Sequence, residues 1–388
     1  MRTICFLVFL SSVGRISMKY YLRHYFDPFF DHTKLSPSTV SGGRVDHHCL
    51  GYVQNVISGQ IIAELLPAPE NTDSINPQFL MDSPVLPVGP NTVVNPDNNF
   101  QLLASRNGYV FYHENLISVK KLLNIHGNVN FNTGNVIYVN DLCVEGIVRT
   151  GFELQARNIL VKDIVEGAAI RSLDAFTAEK GIKGAKSCVI DAGSNIRAAF
   201  CENCELQAGN DIYIEGSALH TRMSLNGSLV VKERLQGGKI YANDMVYVGE
   251  QLGGGRNTPT SIIMGYPPVL MKKLEGIEKM IETVEERIIQ LEKISAKSTL
   301  HRKENSSKLE FEEKRMRALR KEQKRIVTLM QKNAQLDLCR IVVPGVIRPG
   351  VEISIGGHYT KINDYLENVV VSLRDGELNF NSPATIKK

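Results

Sequence analysis

Tryptophan is absent from this chain of 388 residues. No stretch approaches the ~20 consecutive apolar residues of a membrane helix, which excludes a helical span. A dominant charge is missing too: the net +4 is small for this length and does not by itself point to a polyanion partner. A paired set of cysteines is lacking. The seven (Cys5, Cys49, Cys143, Cys188, Cys201, Cys204, Cys339) are odd in number and sit mostly in apolar strand contexts. That usage suits a reducing cytoplasm better than a disulfide framework. What is present, 31 glycines and 43% hydrophobic residues, suits a turn-rich globular β protein with room for two or three domains.

The segment from Leu154 to Val248 repeats itself. An anchor position, usually small, recurs at Ala156, Ser172, Ala192, Ala208, Leu225 and Ala242, in steps of 16, 20, 16, 17 and 17. Around each anchor lie two short β pieces with period-2 alternation, as in Leu154 and Ala156, then Ile159 and Val161. Turns rich in Gly, Asn and Asp join them. So short a unit cannot bury its apolar face alone and must stack on its neighbours, making one continuous interior. The fold class expected is mainly β: a single-stranded, right-handed parallel β-solenoid over 124–266. Its alternation is already visible in Ile125 to Phe131 and Asn135 to Val139.

Pro267-Pro268 interrupts the solenoid. Leu270, Leu274, Ile277, Ile281, Val284, Ile288 and Leu291 then follow in steps of 4, 3, 4, 3, 4 and 3, a heptad seam. A breaker is expected from Ser295 to Ser307, then a second seam through Leu309, Met316, Leu319, Ile326 and Met330, with Gln323 at one seam position. Lys272 to Lys293 carries five Lys/Arg and six Glu, and Arg302 to Arg325 carries ten against five. Arms so matched suit an antiparallel coiled-coil hairpin over 267–339, each arm ~37 Å long. Alternation resumes at Ile341, so the hairpin is an insertion, and 340–388 completes and caps the solenoid. The cap is expected in Val369 to Leu373 and Glu377 to Phe380, around an Arg374-Asp-Gly376 turn, because an uncapped stack exposes unpaired edges.

Residues 1–123 form a small β-rich N-terminal domain. Two β pieces flank Ser58-Gly59, a proline-rich stretch argues against regular structure, and Asn107-Gly108 suggests a hairpin between 100–104 and 108–112. Residues 1–17 look like an over-called start or a weak signal peptide, with Met18 the expected initiator.

Few residues invite a chemical reading. Cys201-Glu-Asn-Cys204 is a lone CxxC without a second pair, so buried thiols are expected. His24, Asp27, Asp31, His32, Asp46, His47, His48 and Cys49 offer metal-ligand types, but adjacent histidines on a strand diverge and no i, i+4 pair occurs; a structural role is expected. Gly253-Gly-Gly-Arg256 lacks the Gly-Lys-Ser/Thr ending of a phosphate loop, and Pro259 would break a following helix. Asp163, Glu166, Asp174 and Glu179 fall at unlike positions in their repeats, which disfavours a catalytic carboxylate cluster. No catalytic residue, metal or cofactor is assigned. The basic tract from Lys314 to Lys321 lies on a heptad face with Glu312, Glu313 and Glu322 nearby. Arg317, Lys321 and Lys324 are the candidate partner-binding residues.

Gly127-Asn-Val-x-Phe-x-Thr-Gly-Asn-Val136, Val144-x-Gly146-x-Val148-x-x-Gly151-Phe152, Val165-Glu-Gly167-Ala168, Ile196-Arg-Ala198-x-Phe200-x-Glu-Asn203 and Asn257-Thr-Pro-Thr260 resemble the bacterial flagellar assembly protein A family. The likeness covers about 123–388. It implies an N-terminal region, a β-solenoid and a coiled-coil hairpin inserted before the last solenoid strands. It also implies a cytoplasmic non-enzyme connected with flagellum assembly or its regulation, with no catalytic residues to carry over. Cys201, Cys204 and Gly253-Gly-Gly-Arg256 depart from the family pattern. A scaffold that binds protein partners, not nucleic acid, is therefore expected, with self-association through the coiled coil or solenoid ends left open. The alternative is a β-helix enzyme acting on a polysaccharide or acyl donor, by fold analogy alone.

Overall fold

A computed structural model of the chain describes residues 20–35, 37–40, 44–46, 48–69, 75–185, 187–254, 258–297 and 299–382, with backbone alone at 38–40, 44–46, 295–297 and 299–305. The expectations about residues 1–17, His47 and Gly255–Arg256 lie outside the described residues. The described residues fall into two compact units, one within Met1–Lys34 and Val53–Leu123, the other within Leu35–Tyr52 and Asn124–Lys388.

The first unit is antiparallel β. A five-stranded sheet runs in the order Leu80–Met81, Tyr20–His24, Ile61–Pro67, Asn98–Ala104, Thr92–Asn95, and a three-stranded sheet in the order Leu116–Lys120, Gly108–His113, Asn55–Val56. Leu22, Ile62, Leu65, Leu102, Val110 and Ile117 fill its core. The two β pieces beside Ser58-Gly59 form as expected. The hairpin around Asn107-Gly108 does not: Asn98–Ala104 and Gly108–His113 lie in different sheets. Gly108–His113 pairs instead with Leu116–Lys120 across Glu114 and Asn115, both at positive φ, the geometry of a two-residue hairpin turn. Gly108 serves another purpose, since a Cβ there would sit 2.2 Å from the Lys120 carbonyl. Regular structure also enters the proline-rich stretch, because Thr92–Asn95 pairs between Pro90 and Pro96.

In the second unit the repeat becomes a stack of parallel rungs. One column runs through Val136–Ile137, Glu153–Ala156, Ala169–Ser172, Val189–Ala192, Glu205–Ala208, Arg222–Leu225, Gly238–Ala242, Thr260–Met264 and Val351–Ile355. Its register places Ala156 beside Ser172, Ser172 beside Ala192, Ala192 beside Ala208 and Ala208 beside Leu225. The recurring anchor is thus one physical column. A second column runs from Leu122–Ile125 through Ile159–Val161, Ile196–Ala198 and Leu229–Val231 to Arg340–Ile347. Alternation sends Leu154, Ala156, Ile159 and Val161 inward, each 2% exposed or less.

The rung has a third strand piece that two-piece alternation did not suggest: Ile182–Lys183, Cys201–Glu202, Ala218–Leu219, Arg234–Gln236 and Gln251–Leu252 form their own column. Each contributes a single buried residue, in the order Ile182, Cys201, Ala218, Leu235, Leu252. The corners stack as well. Asn158 Oδ1 accepts the Ala175 N–H at 3.0 Å, Asn195 Oδ1 the Asp211 N–H at 3.1 Å, and Asp211 Oδ1 the Ser228 N–H at 2.7 Å. Backbone donors left open by each turn are therefore satisfied by the rung beside it. Close stacking demands glycine at one such corner: a Cβ on Gly209 would lie 1.9 Å from the Gly193 oxygen.

The preceding segment packs beside the first rungs, and antiparallel strands cover the last. Leu50 is buried at the first rungs, and the His48 ring lies 5.0 Å from that of Phe152, which lies 5.1 Å from Phe131. At the other end Leu366–Arg374 runs antiparallel to Arg340–Ile347, and Glu377–Asn381 folds back on it through Asp375 and Gly376, both at positive φ. His358–Lys361 likewise closes Val351–Ile355. These antiparallel pairs occupy the edge that a bare parallel stack would leave open.

Candidate interaction surface on the helical hairpin

Two helices, α1 (Pro268–Lys297) and α2 (Thr299–Lys332), stand between Thr260–Met264 and Arg340–Ile347. Proline at the first helical position forfeits no intrahelical bond, and the Pro267 carbonyl accepts the Leu270 and Met271 N–H groups at 3.0 and 3.2 Å. The break between the arms falls within the expected stretch from Ser295 to Ser307 but is far shorter, since α1 runs to Lys297 and α2 already begins at Thr299. That stretch contains neither glycine nor proline, and its serines and asparagine cost a helix only a few tenths of a kcal/mol each.

The helices run antiparallel. Ile277 packs with Ile326 and Met330, while farther along Glu285 Oε1 accepts from Arg320 Nη2 at 3.0 Å and Arg287 faces Glu312 at 3.5 Å. In α1 the seam residues Leu270, Leu274, Ile277, Ile281, Val284, Ile288 and Leu291 are all buried or half-buried. In α2 so are Leu309, Met316, Leu319, Gln323, Ile326 and Met330. One seam member escaped sequence reading. Glu312, three residues after Leu309 and four before Met316, is 9% exposed. Arg287 and Arg315 flank its carboxylate, at 3.5 and 3.7 Å. Heptad spacing alone could have found it.

Arg317, Lys321 and Lys324 are exposed and, four and three residues apart, share one face of α2. None of the three has an ion-pair partner among the described residues. Arg320 and Arg325, close by, are engaged by Glu285 and Glu322. The structure therefore brings the three candidates together as an uncompensated basic strip.

The base of the hairpin is tied to the solenoid, which no motif announced. Glu275 of α1 accepts hydrogen bonds from Lys239 Nζ and Tyr241 Oη on the outer face of Gly238–Ala242. Lys272 Nζ lies 2.7 Å from Glu205 Oε1. Burial works to raise the Glu275 pKa, but the bonds from Lys239 and Tyr241, with the charges of Lys239 and Arg222, hold it below its ordinary value. Burial and the bond to Glu275 push the Tyr241 phenol up.

The other candidate groups are dispersed. Cys201 occupies the third column, and Cys204 sits at the next corner with its sulfur 3.8 Å from Thr221 Oγ1. Both thiols are buried, and the contact with Cys201 together with burial pushes the Cys204 pKa up. Asp27 accepts the Phe29 N–H at 2.9 Å and Asp31 the Thr33 N–H at 2.9 Å, so both shape turns. His24 packs among aromatic rings of the first unit. No group of three or more His, Cys, Asp or Glu suited to a metal ion occurs among the described residues. Asp163 pairs with Lys180 at 3.0 Å, Glu166 with Arg149 at 2.9 Å and Asp174 with Arg157 at 2.9 Å, each across one rung, while Glu179 is simply exposed.

No described helix is long and apolar enough to cross a membrane. No curated protein and no solved structure matches the chain significantly. The family described as Flagellar Assembly Protein A beta solenoid domain matches residues 121–378, which span the rungs, the inserted helices and the closing strands. By that match over most of its length, the chain belongs to the flagellar assembly protein A family.

Proposed function

We propose that this protein is a cytoplasmic, non-enzymatic scaffold of flagellum assembly or its regulation, which captures a protein partner on the basic face of α2. The observation that carries this reading is the strip of Arg317, Lys321 and Lys324, exposed and unpaired by acids among the described residues on a helix otherwise laced with ion pairs. Uncompensated cations on a firm support steer an acidic partner and set its association rate. The tie of Glu275 to Lys239 and Tyr241 supplies that support. Family membership favours a role in flagellum assembly. Three of the four outward carboxylates weighed for β-helix chemistry are paired with cations of neighbouring rungs, which favours a scaffold over an acid–base site. The small β unit before the solenoid is a separate domain in this reading, available as a second contact surface.

Affinity capture from a flagellated host, using the full chain and a form with 270–338 replaced by a short linker, tests the proposal. The full chain should retain a protein that the linker form loses. Equal capture by both would remove the hairpin from the reading. Turnover of a polysaccharide or acyl donor, abolished by one substitution, would overturn the non-enzymatic part.

A further inference from the structure

A cleft of about 720 Å³ lies on the outer face of the last rungs, from Arg222 to Tyr359. It crosses the strands Arg222–Leu225, Gly238–Ala242, Thr260–Met264, Val351–Ile355 and His358–Lys361 in spatial order. At about 4.8 Å per strand it is roughly 19 Å long. Its volume falls in the range typical of small-molecule sites, far above that of a lone ion.

The chemistry along this cleft is uneven. At one end stand two cations, Arg222 and Lys239. The Arg222 guanidinium is exposed and has no ion pair among the described residues. Hydroxyl groups line the middle, from Ser261 and Ser354. Two carboxylates stand near the cleft among the described residues: Glu275, bonded to Lys239 and within reach of the Arg222 charge, and Glu352, drawn off toward Lys361 at 3.7 Å. At the far end the Tyr359 ring is 62% exposed on the closing strand.

The cationic end lies beside a recurrent corner of the solenoid, where Asn203, His220, Gly237 and Gly254, each 17 residues after the last, all have positive φ. The corners stack closely, since a Cβ on Gly237 would lie 2.6 Å from His220 Nδ1.

We propose that this cleft binds a phosphate-bearing small molecule of nucleoside-diphosphate size, its phosphates on Arg222 and Lys239 and its base toward Tyr359. The planar guanidinium fork and the ammonium of these two residues suit phosphate oxygens. The Ser261 and Ser354 hydroxyls supply further donors, and the aromatic face suits a planar ring. Length selects the ligand: an isolated phosphate would leave most of the cleft to water. Lys239 also bonds Glu275, so ligand and hairpin base compete for one ammonium.

Isothermal titration of the full chain with ADP and GDP, with pyrophosphate, and with adenosine and guanosine tests the assignment. A nucleoside diphosphate should bind more tightly than pyrophosphate, and both more tightly than the nucleosides. Arg222→Ala should weaken binding roughly tenfold or more, the loss expected of a charge-assisted bond to phosphate. Ser354→Glu, which sets a further carboxylate in the cleft, should do the same while Arg222 remains. Glu275→Gln should tighten binding by freeing Lys239. Circular dichroism of each variant confirms that the fold is kept. Absence of nucleotide binding at millimolar concentration, or binding indifferent to both Arg222→Ala and Ser354→Glu in folded protein, would overturn the site. Equal binding of nucleosides and nucleotides would overturn its assignment to phosphate.

Discussion

Cys201 stacks on Ala218, its register partner in the next rung, and both are fully buried. A position that takes alanine one rung away needs no sulfur chemistry. Cys201→Ala and Cys204→Ala should each cost about 1 kcal/mol in chemical denaturation, the worth of one small buried apolar group. Alkylation of Cys188, Cys201 and Cys204 should keep pace with unfolding, because these thiols are buried and burial pushes the Cys188 pKa up to about 12. Stoichiometric zinc in protein purified without chelator, lost in the double alanine variant, would contradict this account.

Two glycines should respond in opposite ways. Gly209→Val forces a branched side chain to within van der Waals overlap of the Gly193 carbonyl and should destabilise the solenoid by at least about 1–3 kcal/mol. Gly276 lies inside α1 with open space where its Cβ would be. Gly276→Ala should stabilise the helix by about 0.5–1 kcal/mol. Melting temperatures of the two variants give the signs directly.

The tie at Glu275 should loosen in acid. A carboxyl whose folded pKa is depressed contributes stability that is complete above its unfolded value and is lost as pH falls through the folded one. Hydrogen exchange across Pro268–Lys297 should therefore quicken as pH falls below the ordinary carboxylate range, once corrected for intrinsic rates. Glu275→Gln should reproduce the effect at neutral pH, by about 1 kcal/mol. Rung amides should keep their protection in both cases.

His24 carries the opposite charge type and should also weaken the protein in acid. Its ring lies 4.4 Å from Phe79, 5.2 Å from Phe26 and 5.5 Å from Tyr112, and burial lowers its pKa to about 4. In the unfolded chain the value is about 6.5, so between these limits the unfolded state binds the extra proton and stability falls as pH falls. The melting temperature of the N-terminal unit should drop between about pH 7 and pH 5. His24→Phe should flatten that dependence, and an unchanged slope would show that another group is responsible.

Reversal of Arg317, Lys321 and Lys324 to glutamate should weaken partner capture and leave the melting temperature within about 1 kcal/mol of the parent, because surface charges contribute little to stability. The loss should appear mainly in the association rate and shrink at high salt. A null strain of a flagellated source with normal flagella would separate the molecule from its family role.

The rungs and the helical seams were legible because they depend on periodicity. Alternation of two, a repeat of 16 to 20 residues and a 3–4 heptad each follow from backbone geometry that any stretch of sequence must obey. The small anchor at Ala156, Ala192 and Ala208 marks one such column. The third column was not legible, because strands of two or three residues offer a single inward side chain and no period. Asn107-Gly108 misled for a related reason: the pair has the chemistry of a hairpin turn, but its glycine is required by the approach of Lys120.

Local pattern thus determined that this chain stacks, where the helices are inserted and which face of each helix turns inward. Tertiary structure alone decided that Glu275 meets Lys239 and Tyr241, that Glu312 is enclosed by two arginines, and that Arg222 and Tyr359 border one cleft. In sequence, Glu275 cannot be told from any other solvated glutamate on a heptad flank. Its role depends on where a strand 36 residues away places an ammonium group, and charge acts through distance in space.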